Sequence, residues 1–291
     1  MEVLSLWIIL GLVYLSETLW WTTPTRLMLI GSRIGDFRAH KGASIELRDG
    51  KGFFLTTPLP PFRYAFECPI TAESAAGAKR PKRSHTEQLV TQALSLASPL
   101  RRLGEGLWVY VFIVVPVTIA TFGLLVVWLP LLLVLLVWLA VIVIMFRRSW
   151  LRLHPDKPAA WRSDAALMVL SPLGAIRVAD RLTRSALADL GGLRVASVIA
   201  APDEFCRLAR LIYFDDDAPT DEGLKAEIDQ IVESTRLRSK FDAAPTRDSG
   251  MLGFCRRCHT QVMRADGTCP DCVTQPITPF EKTDKSAAAL S

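Results

Sequence analysis

The sequence predicts an α-helical membrane protein that carries small folded parts outside the bilayer. Residues 107–146 contain no charged side chain, and an apolar run of this length is typical of membrane-spanning helices. The first fifteen residues are also mostly apolar, and four cysteines in two close pairs lie near the C-terminus. We therefore expect an N-terminal anchor plus a transmembrane helical hairpin, with a small β-rich subdomain, a small cytosolic helical domain and a C-terminal cysteine module.

Changes in composition divide the 291 residues into seven expected segments. In chain order these are an N-terminal transmembrane anchor (1–21), a small β-rich cytosolic subdomain (22–71), a basic linker and amphipathic helix (72–106), the transmembrane helical hairpin (107–146), a cytosolic helical domain (147–245), the cysteine module (250–275) and a disordered tail (276–291).

The long apolar run predicts two membrane crossings. Forty residues of helix reach about 60 Å, about twice the ~30 Å hydrocarbon thickness. Pro130 is expected to open the second helix, with Trp128 at the far interface. A re-entrant loop and a single tilted helix are the alternatives, but a single helix would leave many apolar residues in water. The run has no acid, lysine or histidine to mark an ion path, which argues against a transporter or channel.

The N-terminal apolar segment, Val3 to Leu15, predicts an anchor that ends at the interfacial residues Trp20 and Trp21. A cleaved signal peptide would need a basic start and a small-residue cleavage site, and there is no Lys or Arg before Arg26.

Basic residues predict the orientation. They cluster between residues 22 and 106 and again directly after residue 146, and the formal net charge is +5. Because basic residues favour the cytoplasmic side, we expect an external N-terminus and a short external turn. The chain is thus placed in the inner (plasma) membrane as a multi-pass protein with most of its soluble mass in the cytoplasm. The lipid bilayer is its first expected partner, and attraction to anionic headgroups accounts for the basic segment.

Strand and helix patterns organise the soluble segments. Residues 43–48 alternate apolar and polar side chains before a glycine-containing turn and residues 53–55, which predicts a β-hairpin. Residues 27–30 predict another strand. The spacing of apolar residues from Thr86 to Arg102 predicts an amphipathic helix lying on the bilayer. Helices are also expected at 163–190, 202–214 and 221–241, with breaks at Pro172, Gly174 and Gly191.

The strongest local motif is C-x2-C, ten residues, C-x2-C, formed by Cys255, Cys258, Cys269 and Cys272. Four thiolates at this spacing suit tetrahedral coordination of one metal ion. Residues 252–275 resemble the zinc-ribbon family in both cysteine pairs, and the resemblance implies one structural Zn²⁺ held by these four residues. Iron in the same geometry is an alternative, and His259 is an alternative ligand to Cys258.

The rest of the chain resembles uncharacterised bacterial inner-membrane proteins in its layout. We expect a non-enzymatic adaptor or assembly protein whose ribbon docks a protein partner. One alternative is a membrane-tethered regulator whose ribbon binds nucleic acid, with Phe254 as the stacking aromatic, although the modest basic face argues against it. The other is an enzyme assembled from the distant residues His154, Asp156, Cys206 and Asp215.

Overall fold

The computed structural model describes residues 8–9, 11–15, 19–41, 45–48, 51–55, 63–70, 83–215, 222–272 and 274–280. The predicted linker up to residue 82, the extended segment at 57–61 and the tail beyond residue 280 lie outside these residues. The chain divides into two compact units, Met1–Ala201 and Pro202–Ser291. Each unit is considered by itself.

The first unit combines six short strands with a set of helices. Residues 8–9 and 11–15 are helical. The elements that follow are β1 (Leu19–Thr22), β2 (Arg26–Gly31), β3 (Arg38–Lys41), β4 (Ile45–Arg48), β5 (Lys51–Leu55), β6 (Tyr64–Pro69), α1 (Arg83–Val109), a π-helical turn (Tyr110–Val114), α2 (Val115–Phe122), α3 (Leu124–Leu153), α4 (Trp161–Leu170), α5 (Pro172–Ala175), α6 (Val178–Leu187), a 3-10 turn (Ala188–Leu190) and α7 (Gly192–Ile199).

The strands form two antiparallel three-stranded sheets, with strand orders β1-β5-β4 and β3-β2-β6. The predicted hairpin is present as β4 and β5, with Ile45 opposite Phe53. The predicted strand at residues 27–30 is present as β2. The end of the predicted anchor differs, because Trp20 and Trp21 lie in β1 and pair with β5 instead of continuing a helix.

Helices α6 and α7, which follow the apolar helical hairpin in the chain, pack on the β3-β2-β6 sheet. The buried carboxylate of Asp180 in α6 accepts a hydrogen bond from the backbone N–H of Ala65 in β6 (3.0 Å). It also pairs with the buried Arg177 (3.1 Å). Gly192 begins α7 where a Cβ would contact Cys68 at 3.3 Å, so α7 packs closely on β6. The β-rich segment and the helices before residue 201 therefore share one core, although the sequence suggested separate subdomains.

Helix α1 differs from the predicted bilayer-lying helix. Ala93, Ala97 and Leu100 are fully buried inside the unit. A Cβ at Gly104 would lie 2.1 Å from the carbonyl oxygen of Ile176, so the turn before α6 contacts the helix backbone directly. The apolar face that the sequence assigned to the bilayer is thus covered by protein, because the sequence shows that a face is apolar without showing what covers it.

Within the part of the chain that the structure describes, two helical stretches are long and apolar enough to cross a membrane, Arg83–Phe122 and Leu124–Leu153. They meet at Gly123, whose φ of 80° and ψ of 146° suit glycine and end the first helix. The sequence prediction placed this turn beside Pro130. The structure instead places Pro130 inside α3.

The two stretches run antiparallel. The indole N–H of Trp138 donates to the carbonyl oxygen of Leu103 (3.1 Å), and the hydroxyl of Tyr110 donates to the carbonyl oxygen of Leu131 (2.5 Å). Residue numbers therefore increase along the first helix while those of their partners in the second helix decrease. A Cβ at Gly106 would lie 2.6 Å from the Trp138 ring. Glycine is therefore needed here, because a larger residue would clash with the indole.

The second unit contains α8 (Pro202–Tyr213), α9 (Glu222–Ser234), α10 (Arg238–Asp242) and a three-stranded sheet of order β8-β7-β9, formed by β7 (Gly253–Cys255), β8 (Gln261–Val262) and β9 (Ile277–Pro279). The boundary at residue 201 falls within the expected helical domain of residues 147–245. Helices α8 to α10 thus belong with the cysteine module, and the earlier helices belong with the N-terminal sheets.

Candidate metal centre

The first cysteine pair lies at the end of strand β7 and in the turn that follows it. Cys255 ends the strand, and its backbone N–H donates to the carbonyl oxygen of Thr260 (3.0 Å). The N–H of His259 donates back to the carbonyl oxygen of Cys255 (2.8 Å), and His259 has a φ of 62°. This tight turn brings Cys258 beside Cys255. Its sulfur lies 3.2 Å from the hydroxyl of Thr260.

The second pair lies on a similar turn. Gly267, with a φ of 91°, accepts a hydrogen bond from the N–H of Ile277 in β9 (2.9 Å). The N–H of Cys269 donates to the carbonyl oxygen of Gln275 (2.8 Å), which closes a loop that carries Cys272. The two turns are joined by a hydrogen bond from the hydroxyl of Thr260 to Asp271 (2.6 Å).

The structure brings the four predicted ligands together. The sulfur atoms of Cys255, Cys258, Cys269 and Cys272 all lie within 4.8 Å of one another, and those of Cys258 and Cys269 are 3.6 Å apart. Four sulfurs at about 2.3 Å from a central Zn²⁺ would be about 3.8 Å apart. The group can therefore hold a metal ion such as zinc.

The surroundings shift the pKa values of three of these thiols, Cys255, Cys258 and Cys272. Burial raises the pKa of Cys255 and of Cys272. Burial also opposes ionisation of Cys258, but contacts with Thr260 and with the neighbouring cysteine sulfurs outweigh it and lower the pKa. Metal binding requires the thiolate forms, so a divalent cation would displace protons from this site.

His259 lies outside the sulfur cluster. Its ring meets Phe254 edge to face, with the ring centroids 6.0 Å apart. Burial and then the charge of Arg210 lower the pKa of His259 to about 4. The ring is therefore neutral near pH 7. Phe254 is only 6% exposed and also contacts Phe280, so it is not available for base stacking as the nucleic-acid alternative required.

A pocket of about 210 Å³ lies beside the cysteine cluster, within the second unit. Its walls combine aromatic rings with charged side chains of both signs and include Arg210, Phe214, Phe241, Asp242, Phe254, Arg256 and His259. The sequence analysis did not find this pocket, because its residues come from α8, α10 and the cysteine turn and share no sequence pattern.

Two arginines fix the helical wall of this pocket. The buried Arg210 donates to the backbone carbonyl oxygens of Lys240 and Phe241, both at 3.3 Å. Arg257, between the first two cysteines, pairs with Asp215 at the end of α8 (2.9 Å). Asp215, which the sequence offered as a candidate residue of an assembled active site, is therefore part of an ion pair. Arg256 remains exposed at the pocket.

The residues considered for an assembled active site are divided between the two units. Cys206 is 1% exposed, and burial raises the pKa of its thiol. His154 and Asp156 belong to the first unit, and Asp215 pairs with Arg257 in the second. Neither the pocket beside the cysteines nor the cavity of about 700 Å³ in the first unit is lined by any of these four candidates.

No protein-family model, curated protein or solved structure matches this chain. The argument for function therefore rests on the residues and their geometry.

Proposed function

We propose that this chain is a membrane-anchored adaptor protein, in which a zinc ribbon with one structural Zn²⁺ docks a protein partner in the cytoplasm. The observation that carries the proposal is the four-sulfur cluster. Four cysteine ligands complete a tetrahedral shell and leave no position for a reacting water molecule. Such a metal contributes folding energy, so the module offers a surface to a partner instead of a catalytic centre.

The exposed apolar hairpin supports the membrane anchor. The arm formed by α2 and α3 carries large exposed apolar side chains at Val117, Phe122, Leu125, Val126, Leu129, Leu133, Leu136, Val137 and Ile144. At about 1.5 Å per residue, the stretch from Leu124 to Ile144 measures about 30 Å, the thickness of a bilayer core. An exposed apolar surface of this extent is rare in proteins that face only water.

Basic residues support a cytoplasmic position for the two units. Arg102 lies near the base of the first helix of the hairpin, and Arg147, Arg148 and Arg152 lie near the base of the second. All four are exposed. A concentration of arginine on one side of paired spans favours the cytoplasm for that side.

The pocket beside the cysteines supports protein docking. Interface hot spots are rich in aromatic residues and arginine, and they are centred on pockets that exclude water. A volume of about 210 Å³ suits a single inserted side chain. With Arg256 exposed at the pocket, we expect the partner to present an acidic side chain beside an apolar one. The nucleic-acid alternative is weakened because Arg257 is paired with Asp215 and Phe254 is buried.

The test is an affinity pull-down with the full-length protein extracted in mild detergent. Bound metal is quantified for the intact chain and for a variant in which all four cysteines are changed to serine. One zinc per intact chain, together with proteins that the serine variant loses, supports docking by the ribbon. Nuclease-sensitive material in their place would support nucleic-acid binding. Identical recovery by both proteins would contradict the proposal.

A charge reversal separates the pocket from general loss of the fold. Arg256→Glu should reduce partner recovery at least tenfold while the zinc content stays at one per chain. Arg236→Glu is the matched control, because Arg236 is an exposed arginine of the same unit that does not line the pocket. Equal loss in both variants would show that net charge, and not the pocket, governs binding.

A further inference from the structure

A cavity of about 700 Å³ lies in the first unit, between strands β1, β2 and β6 and helices α4 and α6. This volume is in the range of binding sites for small molecules. Its walls carry four arginines and two acids, namely Arg26, Arg177, Arg181, Arg184, Glu67 and Asp164. The excess of basic side chains favours an anionic occupant and opposes a metal cation.

Buried acids hold three of these arginines in place, namely Arg26, Arg177 and Arg184. Glu67 is 4% exposed, and one of its carboxylate oxygens accepts from Arg26 (2.8 Å) and from Arg184 (2.5 Å). Arg177 pairs with the buried Asp180 just outside the cavity lining (3.1 Å). A guanidinium group carries five N–H donors, so it can bind a carboxylate and a phosphate at once. These three basic groups are therefore fixed before any ligand arrives.

The walls of the cavity include exposed apolar residues. Leu19 and Trp21 line it from β1 and are 37% and 51% exposed. Asp164 lines it from α4, and Leu167, one turn further along the same face of that helix, is 50% exposed. Apolar side chains beside a cationic cavity suit a ligand that joins a charged group to an apolar body.

The cavity is also connected to the apolar arm. The helical residues 11–15 precede β1, and Tyr14 packs edge to face on Phe112 in the first candidate span, with ring centroids 5.1 Å apart. Strand β1, which forms one wall of the cavity, therefore follows closely on a segment that packs along the hairpin. The cavity therefore lies close to the base of the apolar arm, where the arm meets the sheets.

We infer that this cavity binds a phosphate ester, with the guanidinium groups of Arg26, Arg181 and Arg184 around the phosphate. The hydroxyls of Thr23 and Ser185 also lie in its walls and add hydrogen-bonding groups. Two sources carry this chemistry, the headgroup of a membrane phospholipid and a soluble phosphate ester. The inference concerns the first unit and does not depend on docking by the zinc ribbon. Only its lipid source depends on the proposed membrane insertion.

The test uses the full-length protein in a neutral detergent. Inorganic phosphate and glycerol 3-phosphate are titrated calorimetrically after delipidation, and retained phospholipid is measured by native mass spectrometry after passage through nanodiscs of phosphatidylglycerol. The double variant Arg181→Gln, Arg184→Gln should lose affinity by about 100-fold, because two charge-assisted contacts are removed. Arg102→Gln, an exposed arginine outside the cavity, should stay within about twofold and measures general attraction to anionic lipid.

The outcomes distinguish a lipid headgroup from a soluble phosphate ester. They also distinguish a failure of the phosphate-binding inference from a failure of the proposed membrane anchor. Binding of glycerol 3-phosphate by the delipidated protein identifies a soluble ligand, and one tightly retained lipid without such binding identifies a headgroup. Absence of both, or equal affinity of the double variant and the parent, overturns the inference. A failure to insert into nanodiscs would count against the membrane anchor and leave the soluble titration valid. Arg181→Lys with Arg184→Lys keeps the charges, so it should retain part of the affinity if the glutamine variant fails to fold.

Discussion

The depth of the apolar arm can be measured by placing an arginine at different heights along α3. Leu133 is 63% exposed and lies about 15 Å along the helix from Gly123, which would be near the middle of a 30 Å hydrocarbon core if the hairpin crosses a bilayer. Leu125 is 89% exposed and lies only about 3 Å from Gly123, at the far interface if the hairpin crosses fully.

The expected cost differs between these two positions. An arginine at the centre of a span costs about 2.5 to 3.5 kcal/mol, and one near the interface costs under about 1 kcal/mol. The ratio of inserted to non-inserted hairpin should fall about 60- to 400-fold for Leu133→Arg, and by less than about fivefold for Leu125→Arg. If the arm faced water, both changes would alter stability by under about 0.5 kcal/mol.

The assay labels the tip of the hairpin from outside the cell. A cysteine at Phe122, which is 64% exposed, is treated with an impermeant maleimide and then with a permeant one to give the total. If the hairpin inserts so strongly that Leu133→Arg alone leaves the labelling unchanged, the double variant Leu133→Arg, Val137→Arg should lower the labelled fraction measurably. Equal labelling of all arginine variants would refute the depth argument. A larger loss for Leu125→Arg than for Leu133→Arg would refute full crossing, because the tip would then be the deepest point of a re-entrant loop.

Three further predictions concern the first unit. Gly104→Ala should destabilise it by about 1 to 3 kcal/mol and lower its melting temperature by several degrees, because the new Cβ would lie 2.1 Å from the carbonyl oxygen of Ile176. Asp180→Asn should cost about 3 to 5 kcal/mol in denaturant unfolding, because it leaves the buried charge of Arg177 uncompensated. Burial raises the pKa of Cys68 from 9.0 to about 12, so its alkylation at pH 8 should be about a thousandfold slower in the folded protein than in the unfolded chain.

Each of these predictions has a control. Gly11→Ala adds a Cβ with no atom within 4 Å and should leave the melting temperature unchanged. Asp156→Asn removes an exposed acid and should change stability by under about 0.5 kcal/mol. Rapid alkylation of Cys68 under conditions where the unit stays folded would show that its surroundings open locally.

The sequence identified those features that are encoded by residues close together in the chain. The four cysteines were found from their spacing, and the β4–β5 hairpin was found from alternation around a glycine-containing turn. In both cases the local pattern carries the physical constraint, since a metal needs paired thiolates and a tight turn needs glycine.

Other features depend on contacts between distant residues, which no local pattern reports. Pro130 was expected to open the second helix of the hairpin. That helix begins instead directly after Gly123, which has a positive φ, and Pro130 lies inside it, where other contacts can stabilise a proline. The nucleic-acid alternative needed an accessible Phe254 for base stacking, but Phe280 and His259 pack against this ring. The arginine-lined cavity combines residues of β1, β2, β6, α4 and α6.

The hydrogen bond from Ala65 to Asp180 joins residues separated by 115 positions, and the apolar hairpin lies between them in the chain. At about 5 to 20 residues per second, a ribosome needs about 6 to 23 seconds to pass from one partner to the other. During this interval the sheet β3-β2-β6 has been synthesised without the helix that covers it. The hairpin is therefore complete before the core of the first unit can close, and the apolar face of this sheet stays uncovered by α6 throughout that interval.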